Sequence, residues 1–206
     1  MADRLAIYRG ALRLLGNQNI ASLTEPHQAR FALDEAWEPV GTMLLEAGLW
    51  NFAIRTVELS NDEDVQPLFE FQYAFSKPDD WVRTADISDN PTFVESYEDY
   101  EDETGYWYAN VNPLYIRYVS NDPDYGWNIG AWRQHFANAY SAFLAFECGL
   151  PISDDKGNRN DLYTLAQNRL SEAKVKDAVD ERVQRKPTGR LVRARFANRS
   201  NRRRYC

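Results

Sequence analysis

Chemistry-bearing residues are scarce in this sequence. Histidine occurs twice, as His27 and His135, and cysteine twice, as Cys148 and Cys206. The two histidines lie far apart, with no cysteine or carboxylate at ligand spacing, so the pattern offers neither a zinc site nor a catalytic histidine. Two cysteines cannot make a disulfide framework. Cys148 falls in an apolar helical run and reads as a small buried hydrophobe, which points to a reducing compartment. No phosphate-cradling P-loop, no G-x-G-x-x-G and no G-x-S-x-G occurs. No basic-then-apolar leader opens the chain and no apolar run approaches ~18 residues, so neither a signal peptide nor a membrane span is expected. The expectation is a protein that is not an enzyme and needs no cofactor.

One further absence concerns charge. After Glu181 the sequence has no acidic residue, while Arg182, Arg185, Lys186, Arg190, Arg193, Arg195, Arg199, Arg202, Arg203 and Arg204 add ten cations. The net charge of −7 includes those ten, so the residues before Arg182 carry about −17. Division of this kind marks a tail that meets an anionic partner, nucleic acid or an acidic protein face. Binding of nucleic acid through it would be nonspecific and strongly salt-dependent. Docking on a protein groove would use the same guanidinium forks on carboxylates, with Leu191, Val192, Phe196 and Tyr205 as apolar anchors. Those apolar residues favour protein docking, because a tail for DNA alone needs none.

What is present is ample apolar and aromatic material, 44% and 14% of the 206 residues, enough for a packed core without metals or bridges. Residues 3–16 carry Leu5, Tyr8, Leu12 and Leu15 at helical spacing and stop at Gly16. Thr24-Glu25-Pro26 is a second start signal. The helix it opens runs through Leu33, Trp37, Val40 and Leu44 to Gly48, with a kink or break expected at Pro39. Between 51 and 128 the period falls to two. Phe69, Phe71, Tyr73 and Phe75 alternate with Glu70, Gln72 and Ala74, as do Leu114, Ile116 and Tyr118 with Tyr115 and Arg117. Weaker strands are expected at 54–59, 81–85 and 106–111, with Asn/Pro/Asp turns between them. Helical spacing resumes with Trp132, Phe136, Ala139, Phe143 and Phe146, closed by Gly149 and Pro151. A fourth helix follows through Leu162, Ala166, Leu170 and Ala173, ended by Pro187. The expected fold is mainly α: a four-helix bundle with a small antiparallel β insertion between helices 2 and 3 and an extended C-terminal arm. Its parts are residues 1–50 for helices 1 and 2, 51–128 for the β-rich insertion, 129–186 for helices 3 and 4, and 187–206 for the basic arm.

Two clusters invite a functional reading. Residues 86–103 hold eight acids and no base. Two of these carboxylates could serve a glycosidase, but only if burial pushed their pKa values apart. Without a base nearby, a solvated, mutually repelling loop is the expectation. A loose calcium site lacks the D-x-D-x-D-G order. The aromatics at 69, 71, 73 and 75 could stack bases, yet no Lys or Arg interleaves them and Glu63, Asp64 and Glu70 would repel phosphate. They are expected in a core or a subunit interface.

A set of ordered motifs carries a resemblance. Ala11-Leu12, Leu15-Gly16, Ile20, Ser22-Leu23 and Glu25 come first, then Trp50-Asn51-Phe52-Ala53. Phe71-x-Tyr73-x-Phe75-x-x-Pro78-x-Asp80-x-x-Arg83 follows, then Leu114-Tyr115-Ile116-Arg117-Tyr118-Val119, Trp132 and Phe136. Together they resemble the head-to-tail adaptor proteins of short-tailed bacteriophages, also called tail tubular protein A, over about residues 3–185. Pro39, Gly41 and the acidity of 86–103 depart from that pattern. The resemblance implies a virion protein made in the host cytoplasm. It would self-associate into a ring, twelve subunits in the family, between the portal and the tail nozzle. Genomic DNA would pass through its channel without specific binding. Leu15, Gly16, Leu23, Trp50, Phe52, Tyr73, Pro78, Asp80, Arg117, Tyr118, Trp132 and Phe136 would be its motif and core residues. The arm, through Arg190, Leu191, Arg193, Arg195, Phe196, Arg199, Arg202, Arg203, Arg204 and Tyr205, would clasp the portal.

Overall fold

The structure is a computed structural model that describes residues 3–16, 20–67, 71–153 and 159–180, with the main chain alone for 150–153. Helix α3 (Gln134–Ser153) is the hub. Phe136, Ala137, Ala139, Tyr140, Ala142, Phe143, Leu144, Ala145 and Cys148 are all buried along it. Residues 139–145 are all buried, and a helix buried through two full turns must be covered on every side there. Helices α1 (Arg4–Leu14), α2 (Gln28–Glu46) and α4 (Arg159–Asp180) supply that cover, each packing on α3. The alanines of α3 leave little side chain between the axes, which lets its neighbours approach closely.

Among the described residues, the chain between α2 and α3 forms six strands in two antiparallel sheets of three. Strands β1 (Ile54–Leu59), β6 (Leu114–Ser120) and β3 (Trp81–Ser88) make the first, in the order β1-β6-β3. Strands β2 (Tyr73–Ser76), β5 (Tyr106–Ala109) and β4 (Tyr100–Glu103) make the second, in the order β2-β5-β4. Ile54 pairs with Val119 and Leu59 with Leu114 in the first, Tyr73 with Ala109 and Ser76 with Tyr106 in the second. Phe75, Ile87, Trp107, Ala109, Leu114, Ile116 and Tyr118 form a buried cluster of their own. Val119 turns the other way, into the helical core.

This arrangement corrects the expected mainly α, four-helix bundle. The described residues are mixed α/β: three α-helices packed around a fourth, α3, and a two-sheet unit with its own hydrophobic cluster. The strands were underweighted because β4, with the sequence Tyr-Glu-Asp-Glu, has almost no apolar residue to betray it. Residues 86–103, expected as a solvated loop, supply the end of β3 and all of β4. Three helix limits also move. Helix α2 begins after His27, whose Nδ1 accepts the Ala29 N–H at 3.2 Å, while Thr24, Glu25 and Pro26 form the turn before it. The helix passes Pro39 without a break, because Pro39 is exposed and the missing hydrogen bond falls on the outer face. Helix α3 likewise runs past Gly149 and Pro151 to Ser153. Strand β2 starts only at Tyr73, so Phe71 precedes it, and Phe69 lies outside the described residues.

Candidate functional site

Four motif aromatics meet where the sheet leaves the helices. Trp50 is 1% exposed and its Nε1 donates to the Leu44 carbonyl at 2.7 Å, closing the end of α2. Its ring stands edge-on to Phe136 at 4.8 Å, and Phe52 meets Phe136 at the same distance. Trp132 lies edge-on to Phe136 at 4.9 Å and donates Nε1–H to the Gly126 carbonyl at 2.8 Å. Beyond it Tyr140, Trp37 and Trp127 extend the cluster toward Tyr8. Trp and Tyr carry one polar group each, and those of Trp50, Trp132, Tyr140 and Tyr8 are satisfied, which is the condition for burying them. Burial pushes the Tyr140 hydroxyl far above its ordinary range, so it remains a neutral donor to the Trp37 carbonyl.

Asp80 is the second node. Its side chain is 16% exposed and accepts from Arg55 at 2.9 Å, from Tyr118 at 3.0 Å and from Ser120. Its main-chain carbonyl takes the Asn121 N–H at 2.9 Å. One carboxylate thus ties the turn before β3 to both β1 and β6. Burial by itself would raise the Asp80 pKa, but the hydrogen bonds from Ser120, Arg55 and Tyr118 outweigh it and hold the group below the usual carboxylate range. Burial and the bond to Asp80 raise the Tyr118 pKa. Pro78 sets the same turn, its carbonyl accepting the Trp81 N–H at 3.0 Å. Arg117 lies across the sheet, its guanidinium 3.9 Å from the centre of the Phe93 ring.

The remaining motif positions scatter. Leu15 caps α1 against the helical core, and Gly16 takes the left-handed φ of +66° that ends that helix. Tyr73 sits half-buried at the rim of the β cluster. Leu23, expected in the core, is 37% exposed because the turn at 22–24 runs over the surface. The ten arm residues from Arg190 to Tyr205 lie outside the described residues. Every described motif residue except Leu23 therefore supports the framework, and none converges with others on a reaction centre.

Three arrangements escaped the sequence reading. Arg4 and Arg30 both bond Asp34, at 3.0 and 2.6 Å, while Tyr8 donates to the same carboxylate at 2.7 Å. This network fastens α1 to α2. In the second, Lys77 Nζ lies 3.8 Å from the Trp81 ring centre and bonds Asp102, which also accepts from Thr84 at 2.9 Å and Trp107 at 3.1 Å. The acidic stretch is thus not wholly free of bases: one arrives from residue 77. Beside it, Asp86, Tyr97, Glu98, Tyr100, Glu101 and Asp102 line an open bowl of about 510 Å³. Among the described residues no group of three or more His, Cys, Asp or Glu is placed to hold a metal ion. His135 stands on the surface of α3, 3.4 Å from Glu172 of α4.

The third arrangement is a groove of about 540 Å³ between α2 and α3, floored by Ala32, Ala36, Val40 and Cys148 and flanked by Pro39 and Met43. Glu35 and Glu147 also line it, one from each helix. Burial, and then those two carboxylates, push the Cys148 thiol up to about 12, so it is an inert wall and not a nucleophile. No helix among the described residues is long and apolar enough to cross a membrane. Comparison of the chain with family models and with curated proteins finds no match.

Proposed function

We propose that this protein is a structural adaptor of a phage virion, a ring subunit that joins the portal to the tail nozzle and lines the channel for DNA. The observation that carries the reading is the division of charge: about −17 before Arg182 and ten cations without an acid after Glu181. An acidic channel wall repels DNA and lets it slide, whereas a basic wall would retain it. The arm, interspersed with Leu191, Phe196 and Tyr205, suits a protein partner, here the portal ring. The described body supports the reading as a framework. Its motif residues Trp50, Phe52, Trp132, Phe136, Asp80 and Tyr118 fix the seam between helices and sheets and leave the surfaces for contact. No cofactor and no catalytic residue enters the proposal.

A pull-down with isolated portal rings tests it. The full chain is expected on the rings, and a chain lacking 187–206 is expected to be retained far less. Equal retention of the two overturns the arm's role, and absence of any retention overturns the adaptor reading. The competing reading, a nonspecific nucleic-acid module acting through the arginines, rests on the arm alone. It predicts DNA affinity that falls steeply between low and moderate salt. The adaptor reading predicts only weak DNA retention at moderate salt.

A further inference from the structure

The groove between α2 and α3 carries an inference that does not depend on the adaptor reading. Its floor is apolar, formed by Ala32, Ala36, Val40 and Cys148, and Met43 beside it is 38% exposed. A carboxylate stands on each helix, Glu35 on α2 and Glu147 on α3, both exposed to solvent. The main chain adds a feature of the same sign at the same two residues. In an α-helix the carbonyl of Glu35 looks to the N–H of residue 39, and that of Glu147 to the N–H of residue 151. Both positions are proline, within helices that continue past them. Neither proline has an N–H to give. Each of the two rim residues therefore brings a carboxylate to the groove and has a main-chain carbonyl without its helical donor.

Such a trough fits a peptide that brings apolar side chains for the floor and N–H donors for the two rim residues. Arginine supplies five donors in a planar fork and can serve a carboxylate and a neighbouring carbonyl together. The chain holds one segment of that composition, Arg190-Leu191-Val192-Arg193-Ala194-Arg195-Phe196. Its reach is sufficient. Asp180, the last described residue of α4, pairs with Arg133 beside the start of α3 at 3.3 Å. Glu147 is fourteen residues farther along, about 21 Å at the helical rise. Ten to sixteen residues of chain after Asp180 span up to about 33–53 Å, enough to cover that length and pass around a helix. We propose that the groove between α2 and α3 is the docking site for residues 190–196 of the same chain, with Phe196 and Leu191 on the floor and the arginines on Glu35 and Glu147.

The test uses the full chain with the photo-crosslinker p-benzoylphenylalanine in place of Phe196, irradiated over a dilution series. Peptide mapping is expected to join residue 196 to positions 36–43 or 147–148, with a yield independent of protein concentration. The paired variant Glu35→Arg, Glu147→Arg changes only exposed side chains, so it should fold. It is expected to lower that yield about fivefold, the scale of two exposed ion pairs. Raising the salt to about 1 M in the unaltered chain is expected to lower it in the same direction. A yield that rises with concentration gives the groove to a second copy and overturns the proposal. So does crosslinking to any other part of the fold, or a yield that neither the charge reversal nor salt moves. Portal retention reads the adaptor proposal separately, so failure of one is distinguishable from failure of the other.

Discussion

A methyl group at position 41 has no room. Gly41 is buried in the middle of α2, where a Cβ would overlap the Trp127 ring and stand 2.8 Å from the Tyr140 hydroxyl. The glycine that looks like a helix defect in sequence is the notch into which Trp127 fits. Gly41→Ala gains up to about 1 kcal/mol of helix propensity but must push an indole out of the aromatic cluster. A net loss of about 1–2 kcal/mol is expected, read as a lower urea midpoint. An unchanged midpoint would show that the ring has space to retreat. Asp80 makes a second residue-scale prediction, now with a pH signature. Its folded pKa lies below the unfolded value, so its contribution is present above about pH 4 and lost as pH falls through the folded value. Asp80→Asn keeps the shape but removes the charge that Arg55, Tyr118 and Ser120 answer. The variant is expected to be about 2 kcal/mol less stable at pH 7. Denaturant titrations at descending pH should show that gap closing below about pH 4.

Proline in the interior of an element makes the corresponding case at the next scale. Helix α2 carries Pro39 on its exposed face and runs through it, at the expense of one hydrogen bond to Glu35. Restoring the donor with Pro39→Ala is expected to raise stability by about 1–2 kcal/mol, after allowing for the freer unfolded chain. A higher Tm with unchanged helix content would confirm it, and a lower one would mean that the proline ring packs usefully in the groove. Local pattern exposed some elements and hid others for physical reasons. Strand β1 falls on the expected 54–59 and β6 opens at Leu114, because β1 alternates half-buried with exposed residues and β6 opens by alternating buried with half-buried ones. Strand β4 was hidden because Asp102 takes part in a pairing twenty-five residues away, with Lys77, that no local period records. The start of α2 was misplaced because Thr24-Glu25-Pro26 has the stronger local signal, whereas His27 caps only once Glu25 has bonded back to Ala21 and to Arg30. Of the candidate site, the charge division and the motif aromatics were legible. The groove was not, since it joins residues 32–43 of α2 to 147–148 of α3, a distance in sequence that helical spacing cannot bridge.

Charge acts on the molecule as a whole. The ten cations after Glu181 offset part of an acidic body, and removing residues 187–206 takes away seven of them, leaving a net charge of about −14 in place of −7. A compact body of that charge repels itself, and the repulsion is longest-ranged at low ionic strength, where the screening length reaches about 30 Å. Salt should therefore stabilise the shortened chain as screening tightens to about 8 Å near physiological strength. For a chain of this size, relief of about 1 kcal/mol corresponds to a rise in Tm of about 2–4 °C. The full chain should gain less, and should lose some stability if its arm already lies on Glu35 and Glu147, because screening weakens that attraction along with the repulsion. Melting curves of the two chains across a salt series separate the cases. A larger gain for the shortened chain means that the arm neutralises the body it is attached to. Equal gains mean that the arm's charge acts too far from the body to be felt, which is the outcome expected if the arm does not lie on Glu35 and Glu147.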